Sequence, residues 1–257
     1  MNDRAIVGEG TREADWLGWL ARQNIPRTSA KAFCADYTRL VVVAPHPDDE
    51  ILACGGLLAQ CAQMNFPVTV IAVTDGEASH GMTDQSSRSR LGQQRAHEQC
   101  EGLTQLDIDP GCVVRLEIPD GSAALHVTQI FNFLRVLLQP GDIVVTTWCL
   151  DGHPDHESTA QAVLRTSCKL VQAPVWMWHW AQPGDPLIPW SDLVAVELDD
   201  TAVAAKLKAL ARHHTQLGWR SAESGPVLEP AIVQRAARRQ EYFFTSRDHR
   251  QSMKEKF

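Results

Sequence analysis

The sequence lacks the patterns that mark disulfide-bonded, membrane-spanning and dinucleotide-binding proteins. Its seven cysteines are odd in number and include no Cys-x-x-Cys pair, which argues against a disulfide framework or a structural zinc knuckle. No stretch approaches the roughly 18 consecutive apolar residues of a transmembrane helix, so we predict no membrane span. No Gly-x-Gly-x-x-Gly follows the first predicted strand, and a dinucleotide site therefore has no support.

The charge balance and the first residues exclude further classes of protein. The net charge is −7 and the chain has no strong run of Lys and Arg, which argues against general binding of nucleic acids or anionic membranes. Residues 1–4 lack the apolar region of a secretory signal. The scattered cysteines are typical of small buried hydrophobes in a reducing compartment. We therefore expect a cytoplasmic protein.

Short apolar segments alternate with helical patterns along most of the chain. Strands are predicted at 40–44, 68–74, 113–116, 143–147, 175–180 and 193–197, with helices between them and near 231–240. Apolar strands that alternate with helices favour an α/β fold with a Rossmann-like, doubly wound, mostly parallel sheet in a three-layer sandwich. The length fits one domain over residues 1–257, with residues 1–35 as an N-terminal helical extension.

Two polar clusters follow predicted strands. A His-Pro-Asp-Asp-Glu segment begins at His46, and a His-Pro-Asp-His segment begins at His153. On a helical turn, residues three apart share a face, so His46 can point with Asp49, and His153 with His156. In doubly wound sheets, ligands bind beyond the carboxyl ends of the strands, where both clusters fall. The clusters therefore predict one metal site.

The residue types suit a hydrolytic zinc site with one ion per chain. Such a site needs about three protein ligands, an open position for water and a base. We expect His46, Asp49 and His156 to be the ligands. Asp48 adjoins Asp49 without needing to bind the same ion, so it is our candidate for the general base.

The second cluster supplies two further candidates. His153 could donate a hydrogen bond to a developing oxyanion, and Asp155 could orient one of the histidines from behind. A simpler interpretation is that the carboxylates cap helices, since Asp48 and Asp49 both suit a helix N-terminus. Capping gives no reason for the histidines, which favours the metal site.

The sequence resembles the PIG-L (LmbE-like) family of zinc-dependent N-acetylglucosaminyl deacetylases. Pro45-His46-Pro47-Asp48-Asp49-Glu50 is similar to the family signature Ala-His-Pro-Asp-Asp-Glu, and the segment from His153 to His156 matches its His-x-Asp-His signature. The resemblance implies the same zinc ligands, base and oxyanion histidine as the residues themselves suggest. One departure is Asp151, which stands where some members have a tyrosine with a proposed catalytic role.

Weaker similarities lie between the signatures. Thr74-Asp75-Gly76-Glu77, the Arg95 to Glu98 segment and Pro119-Asp120-Gly121 resemble three short family elements, in the family's order. The resemblance implies substrate contacts by Arg95, Asp120 and Glu77. Simpler interpretations remain open: an Arg95–Glu98 pair on one helix face, a turn at Asp120 and a surface acid at Glu77.

Alternating tryptophans follow the second cluster. On a strand, Trp176, Trp178 and Trp180 would share one face. They could form a stacking platform for a sugar ring, but buried aromatic packing is the more common use of such a strand. An apolar patch there would also offer a contact for a homo-oligomer.

The preferred function is a zinc-dependent amidohydrolase that removes an N-acetyl or related N-acyl group. The resemblance implies an N-acetylglucosamine-like sugar or glycoconjugate as the substrate. A non-haem Fe(II) oxygenase is an alternative, because His46, Asp48 and a distant histidine also satisfy a two-histidine, one-carboxylate triad. A non-catalytic sugar-binding protein on the same fold is the third possibility.

Overall fold

The structure, a computed structural model, describes residues 4–220 and 224–245. The strands of its sheet are β1 (Arg27–Ser29), β2 (Arg39–Ala44), β3 (Val68–Thr74), β4 (Val113–Ile118), β5 (Asp142–Thr147), β6 (Lys169–Ala173), β7 (Leu193–Glu197) and β8 (Gln240–Phe244). The α-helices are α1 (Glu13–Leu20), α2 (Ala30–Cys34), α3 (Asp49–Gln63), α4 (Gln85–Gln105), α5 (Ala123–Leu137), α6 (Pro154–Leu164), α7 (Met177–Trp180), α8 (Asp200–Leu210), α9 (His214–Leu217) and α10 (Pro230–Ala236).

The eight strands form one sheet in the order β1-β7-β8-β6-β5-β2-β3-β4. All neighbouring strands are parallel except β8, which runs antiparallel to both β6 and β7. The helices cover both faces, so the predicted α/β sandwich with a mostly parallel sheet is confirmed. Among the helices of residues 4–220 and 224–245, none has the length and apolarity needed to cross a membrane.

Side chains of the central strand alternate between two cores. Leu40 and Val42 of β2 pack with α3 and α8 on one face, and Val41 and Val43 pack with α5 and α6 on the other. Each side chain is almost fully buried. This burial on both faces explains why β2 is a continuous apolar run rather than an alternating one.

The predicted strand at 175–180 is wrong. The strand is β6, which ends at Ala173, and Met177–Trp180 is the short helix α7. The backbone N–H groups of Val175, Trp176 and Met177 donate to the carboxylate of Asp151 instead of to a neighbouring strand. The tryptophans therefore do not share one strand face.

The first and last strands, β1 and β8, have no counterpart among the predicted elements. Strand β1 lies within residues 1–35, pairs with β7 and follows α1, so this segment contributes a strand as well as helices. Strand β8 lies just beyond α10, where a helix to about residue 240 was predicted, and inserts between β6 and β7. The domain limits of 1–257 stay a prediction.

The chain leaves β2 and β5 in different directions. Helix α3 leads from β2 to β3 on one side, and α6 leads from β5 to β6 on the other, while β2 and β5 are themselves neighbours. A crevice forms at such a switch point, beyond the carboxyl ends of the two strands. Both histidine clusters lie there.

Helix α3 is broken at Cys54, whose φ of −150° and ψ of 26° are not helical. The freed N–H groups of Gly56 and Leu57 donate to Glu241 of β8, over 2.7 and 2.8 Å. Lys206 of α8 donates to the same carboxylate over 2.7 Å, and both side chains are buried. One buried carboxylate therefore joins α3, α8 and β8.

Replacing Glu241 with Ala should destabilise the fold by about 3–5 kcal/mol, because the Lys206 charge would remain buried without its partner. Urea denaturation measures this loss. Glu197→Ala on the neighbouring strand is the control: its carboxylate is 54% exposed, so the change should stay within about 1 kcal/mol. Equal, small losses in both variants would contradict the role given to Glu241.

Candidate active site

The turn after β2 carries a strained backbone. Asp48 has a φ of 141°, a conformation that costs a non-glycine residue about 1–3 kcal/mol. The buried guanidinium of Arg95 holds the turn by donating to the carbonyls of Pro47, over 3.0 Å, and Gly76, over 2.8 Å. Its Nη2 also lies 3.3 Å from Asp48 Oδ2. Arg95 therefore fixes both the backbone and the side chain of Asp48.

The three residues predicted as metal ligands lie together. Asp49 Oδ2 is 3.2 Å from His46 Nδ1 and 3.1 Å from His156 Nε2. Tetrahedral ligand atoms about 2.0–2.1 Å from zinc lie about 3.3 Å apart, so these separations are close to those that the ion requires. All three residues are at most 9% exposed.

The charges in this group depend on one another. Burial opposes ionisation of Asp49, but the imidazoles of His156 and His46 outweigh it and hold the pKa of the carboxyl well below its usual range. Burial likewise opposes protonation of His156, but Asp49 and Asp151 raise the pKa of this imidazole to about 9. Without an ion, protons supply the positive charge that Asp49 requires. A metal cation would replace them.

One buried nitrogen has no hydrogen bond. His156 Nδ1 lies 2.8 Å from Asp151 Oδ2, whereas Nε2 has no hydrogen-bond partner within the described part of the chain. Asp49 Oδ2 is near Nε2, at 3.1 Å, but outside hydrogen-bond geometry. An unpartnered imidazole nitrogen beside a carboxylate is what a zinc ion would satisfy. The residues present therefore fit the metal.

The donor atoms allow more than one ligand set. Nitrogen atoms of His46, His153 and His156 lie within 4.8 Å of one another, as do ligand atoms of His46, Asp120 and Asp155. Neither of these groups includes Asp49, but its carboxylate lies within 3.2 Å of two of the three imidazoles and brings the negative charge that a divalent cation favours. For this reason we prefer Asp49 to His153 as the third ligand.

The Nε2 side of His46 faces two carboxylates. Asp155 Oδ2 and Asp120 Oδ1 each lie 3.3 Å from Nε2. Asp155 is itself fixed by the N–H groups of Gly121, over 2.8 Å, and Ala123, over 3.1 Å. The structure thus places Asp155 against His46, where it can orient that imidazole.

Asp48, the candidate base, lies in a low-dielectric environment. Burial raises the pKa of its carboxyl to about 7, with Asp49 adding to the rise and Arg95 opposing it. A general base is most effective when its pKa is near the working pH. Asp48 is therefore poised to accept a proton near neutrality.

His153 lines the same cavity in its neutral form. Burial, and then the neighbouring imidazoles of His156 and His46, lower the pKa of His153 to about 3. Its Nδ1 accepts a hydrogen bond from the backbone N–H of Asp155 over 3.3 Å. In a neutral imidazole the proton then resides on Nε2. His153 can donate one hydrogen bond to a ligand without being charged.

A cavity of about 310 Å³ opens over these residues. This volume is within the range of about 300–1,000 Å³ typical of small-molecule sites. The cavity is lined by His46, Asp48, Asp49, Leu52, Ala78, Ser79, Arg95, Asp120, Gly121, His153, Trp176, Gln216, Arg220, Val227 and Leu228. Trp176 supplies an aromatic surface to this lining.

Two of the three predicted substrate residues line the cavity. Arg95 and Asp120 do, whereas Glu77 does not line the cavity formed by the described residues. The Glu77 carboxylate accepts instead from the N–H of Asp120 and from Arg88, each over 3.0 Å. Glu77 thus supports Asp120 and is not positioned to contact a ligand in the cavity.

The alternative Arg95–Glu98 pair is not formed. Glu98 is 2% exposed and accepts from Thr215, over 3.1 Å to the backbone N–H and 2.6 Å to the hydroxyl. This contact holds the short helix α9, which brings Gln216 to the cavity. Sequence reasoning missed Gln216, because its place at the cavity depends on this contact between α4 and α9.

Sequence reasoning also missed the buried role of Glu50. Its side chain is fully buried, and Oε2 accepts from Gln99 over 3.1 Å and from the N–H of Asp48 over 3.3 Å. Burial raises the pKa of Glu50 to about 8. The acid is therefore largely protonated at neutral pH and supports the Asp48 turn without adding charge.

Comparison with known proteins identifies the family. Residues 41–167 match the PIG-L family, described as GlcNAc-PI de-N-acetylase. A 1D-myo-inositol 2-acetamido-2-deoxy-alpha-D-glucopyranoside deacetylase of Corynebacterium efficiens is 30% identical, over 70% of this chain and 72% of that protein. The chain belongs to the PIG-L family. A probable N-acetyl-alpha-D-glucosaminyl L-malate deacetylase of Bacillus subtilis is 29% identical, over 49% of this chain and 59% of that protein.

Solved structures share the fold. A deacetylase from teicoplanin biosynthesis has a TM-score of 0.63 at 18% identity, covering 82% of this chain and 100% of its own. The N,N'-diacetylchitobiose deacetylase of Pyrococcus horikoshii has a TM-score of 0.52 at 20% identity, covering 70% and 71%. At these identities the likeness shows the fold alone. The named family relatives are deacetylases, which confirms the predicted class of amidohydrolase.

Replacing Glu50 with Gln should change how stability depends on pH. Folded Glu50 keeps its proton up to about pH 8, whereas the unfolded side chain loses it near 4.5. The contribution of Glu50 to the free energy of unfolding is therefore full below pH 4.5. It is lost as the pH rises toward 8, by about 1.4 kcal/mol per pH unit. Glu50→Gln cannot ionise, so it should escape this fall.

Urea denaturation of the metal-free proteins between about pH 5 and about pH 8 measures the difference. Other titrating groups are common to both proteins and cancel. Glu101→Gln on α4, where the side chain is 41% exposed, serves as the control and should follow the wild-type curve. Parallel curves for wild type and Glu50→Gln would show that Glu50 is ionised in the folded chain.

Proposed function

We propose that this protein is a zinc-dependent N-deacetylase that removes an N-acetyl or related N-acyl group from an N-acetylglucosamine-like sugar or glycoconjugate. The observation that carries the proposal is the convergence of His46, Asp49 and His156 beside a buried carboxyl, Asp48, whose pKa is about 7. The family supports the substrate class, because its named members act on N-acetylated amino sugars.

One zinc ion per chain would be held by His46, Asp49 and His156. When bound, zinc polarises an amide carbonyl and increases the acidity of water near neutral pH. Asp49 supplies the negative charge, while Asp155 and Asp151 orient the two imidazoles from their other nitrogens. The donor set of two imidazoles and one carboxylate is typical of catalytic zinc sites with an open position.

Asp48 would take the proton from the attacking water and return it to the leaving amine. Its carboxyl lines the cavity and is held by Arg95, so it faces the substrate in one orientation. The same group can serve as base and then as acid because its pKa lies near neutrality. The chemistry therefore needs no second acid.

His153 would donate a hydrogen bond from its Nε2–H group to the oxyanion that forms on the amide oxygen. The lowered pKa of His153 favours a neutral donor. A neutral donor would add no positive charge beside the zinc ion and its two neutral imidazole ligands. Such preorganised hydrogen bonds typically lower a barrier by about 3–4 kcal/mol.

Asp120 and Arg95 would bind the sugar. Asp120 keeps its pKa well below the usual range, since His46 and the N–H of Ala78 outweigh its burial. It is thus an ionised acceptor that suits a sugar hydroxyl. Trp176 offers an apolar surface for a sugar ring.

A cytoplasmic location and a homo-oligomer stay predictions.

The alternatives now have less support. An iron triad of His46, Asp48 and a distant histidine would leave Asp49 unused, although Asp49 contacts both imidazoles and Asp48 contacts Arg95. A non-catalytic binding protein would have no use for a buried carboxyl with a pKa near neutrality. Metal content and activity separate the three functions.

Metal analysis of untagged protein tests the ligand set. Wild type should hold about one zinc per chain, and His156→Ala should lose most of it, because one of about three ligands is removed. His97→Ala, on the exposed face of α4, should retain the metal. Iron in wild type would favour the oxygenase, and no metal after zinc reconstitution would overturn the hydrolase.

Acetate release from N-acetylglucosamine conjugates tests the base. Asp48→Asn should lower kcat by about a hundred- to ten-thousand-fold while zinc content stays near wild type, because the amide cannot accept the proton. The exposed Asp109→Asn should keep full activity. Wild-type turnover in Asp48→Asn would show that another group is the base.

A further inference from the structure

The carboxylate of Asp151 is completely buried and makes four hydrogen bonds. Oδ1 accepts from the N–H groups of Val175 and Met177, each over 2.9 Å. Oδ2 accepts from the N–H of Trp176 over 3.0 Å and lies 2.8 Å from His156 Nδ1. One carboxylate therefore connects a metal ligand with the segment that leads into α7.

This carboxylate does not line the cavity formed by the described residues. Its two oxygen atoms are saturated by the four donors, and none of its surface is exposed. Asp151 therefore cannot contact a substrate, in contrast to the role proposed for the tyrosine at this position in some relatives. Its effect on chemistry must act through His156 or Trp176.

We propose that Asp151 is a positioning residue that sets the tautomer of His156 and holds the aromatic wall of the cavity at Trp176. The inference rests on the proposed zinc site. A carboxylate of this kind offers only acceptors, so the hydrogen shared with His156 belongs to Nδ1. The lone pair of the neutral ring then lies on Nε2, the buried atom that has no hydrogen-bond partner within the described residues.

The same carboxylate fixes the cavity wall. Three consecutive N–H groups, of Val175, Trp176 and Met177, converge on it, and the Trp180 indole donates to the Asp151 carbonyl over 2.7 Å. Trp176 lines the cavity, and its N–H donates to Asp151 Oδ2, the oxygen that also contacts His156 Nδ1. A change at Asp151 should therefore affect metal affinity and substrate affinity together.

Asp151→Asn tests this assignment with little change of shape. An amide nitrogen at the Oδ2 position would face the N–H of Trp176 and force His156 Nδ1 to become the acceptor. The ring proton would then occupy Nε2, where it blocks the metal. An amide nitrogen at the Oδ1 position would face two backbone donors, of Val175 and Met177. This orientation would cost more free energy, because both buried donors would lose their acceptor.

The zinc affinity of Asp151→Asn should fall about ten- to hundred-fold, the usual effect of losing the partner of a ligating histidine. Competition with a chromophoric chelator measures it without reference to activity. At saturating zinc, KM for an N-acetylglucosamine conjugate should also rise. A purely structural role would lower the thermal stability of the metal-free protein and leave zinc affinity unchanged.

Asp142→Asn is the matched control. Asp142 is equally buried, lies at the opposite end of β5 and accepts from Arg39 and the N–H of Gln139, away from the cavity. Its zinc affinity should equal that of wild type. A folded Asp151→Asn that binds zinc as tightly as Asp142→Asn would overturn the inference.

A measurement on wild type covers the case in which Asp151→Asn does not fold. Nitrogen-15 NMR of the zinc-loaded protein should show a protonated, slowly exchanging His156 Nδ1 and a metal-bound Nε2. An unprotonated Nδ1 would overturn the inference. Wild-type protein that binds no zinc would instead overturn the proposed function, so the two failures are distinguishable.

Discussion

The contact of one carboxylate with two imidazoles is the interaction on which the site depends. Asp49 lies between His46 and His156, and each partner is buried in a region where an unpaired charge would be very costly. The surrounding groups compensate this charge from both sides, with Asp155 behind one imidazole and Asp151 behind the other. The crevice between β2 and β5 therefore works as one electrostatic unit. Removing any member changes the protonation of the others, as expected of interacting sites.

The sequence was sufficient for the parts of the molecule that follow local rules. The apolar runs of β2, β3 and β5 and the helices between them were predictable because each strand is buried on both faces. The two histidine clusters were predictable as one site because parallel strands place their carboxyl ends along one edge. This rule brought His46 and His156 together, although 110 positions separate them along the chain.

The remaining features depend on contacts between distant segments. The alternating tryptophans satisfy a strand pattern, but the carboxylate of Asp151 draws the backbone of Val175 to Met177 into a turn. Strand β8 is short and carries aromatic residues that favour a strand, but its place between β6 and β7 is fixed only by pairing with segments distant in the sequence. Glu77 illustrates the same limit at the site. The family likeness implied a substrate contact by Glu77, but only the fold shows that Arg88 and the N–H of Asp120 already bind its carboxylate.

The link between Glu241 and the break in α3 has a consequence for how the protein is made. The Gly56 N–H and its acceptor are 185 positions apart in the sequence. The helix that presents Asp48 and Asp49 therefore reaches its final form only after β8 has left the ribosome, near the end of the described chain. Until then, the N–H groups of Gly56 and Leu57 in α3 lack their acceptor, and Lys206 of α8 lacks its carboxylate partner. Such long-range closure slows folding, and it makes the break in α3 dependent on a contact with the final strand of the described chain.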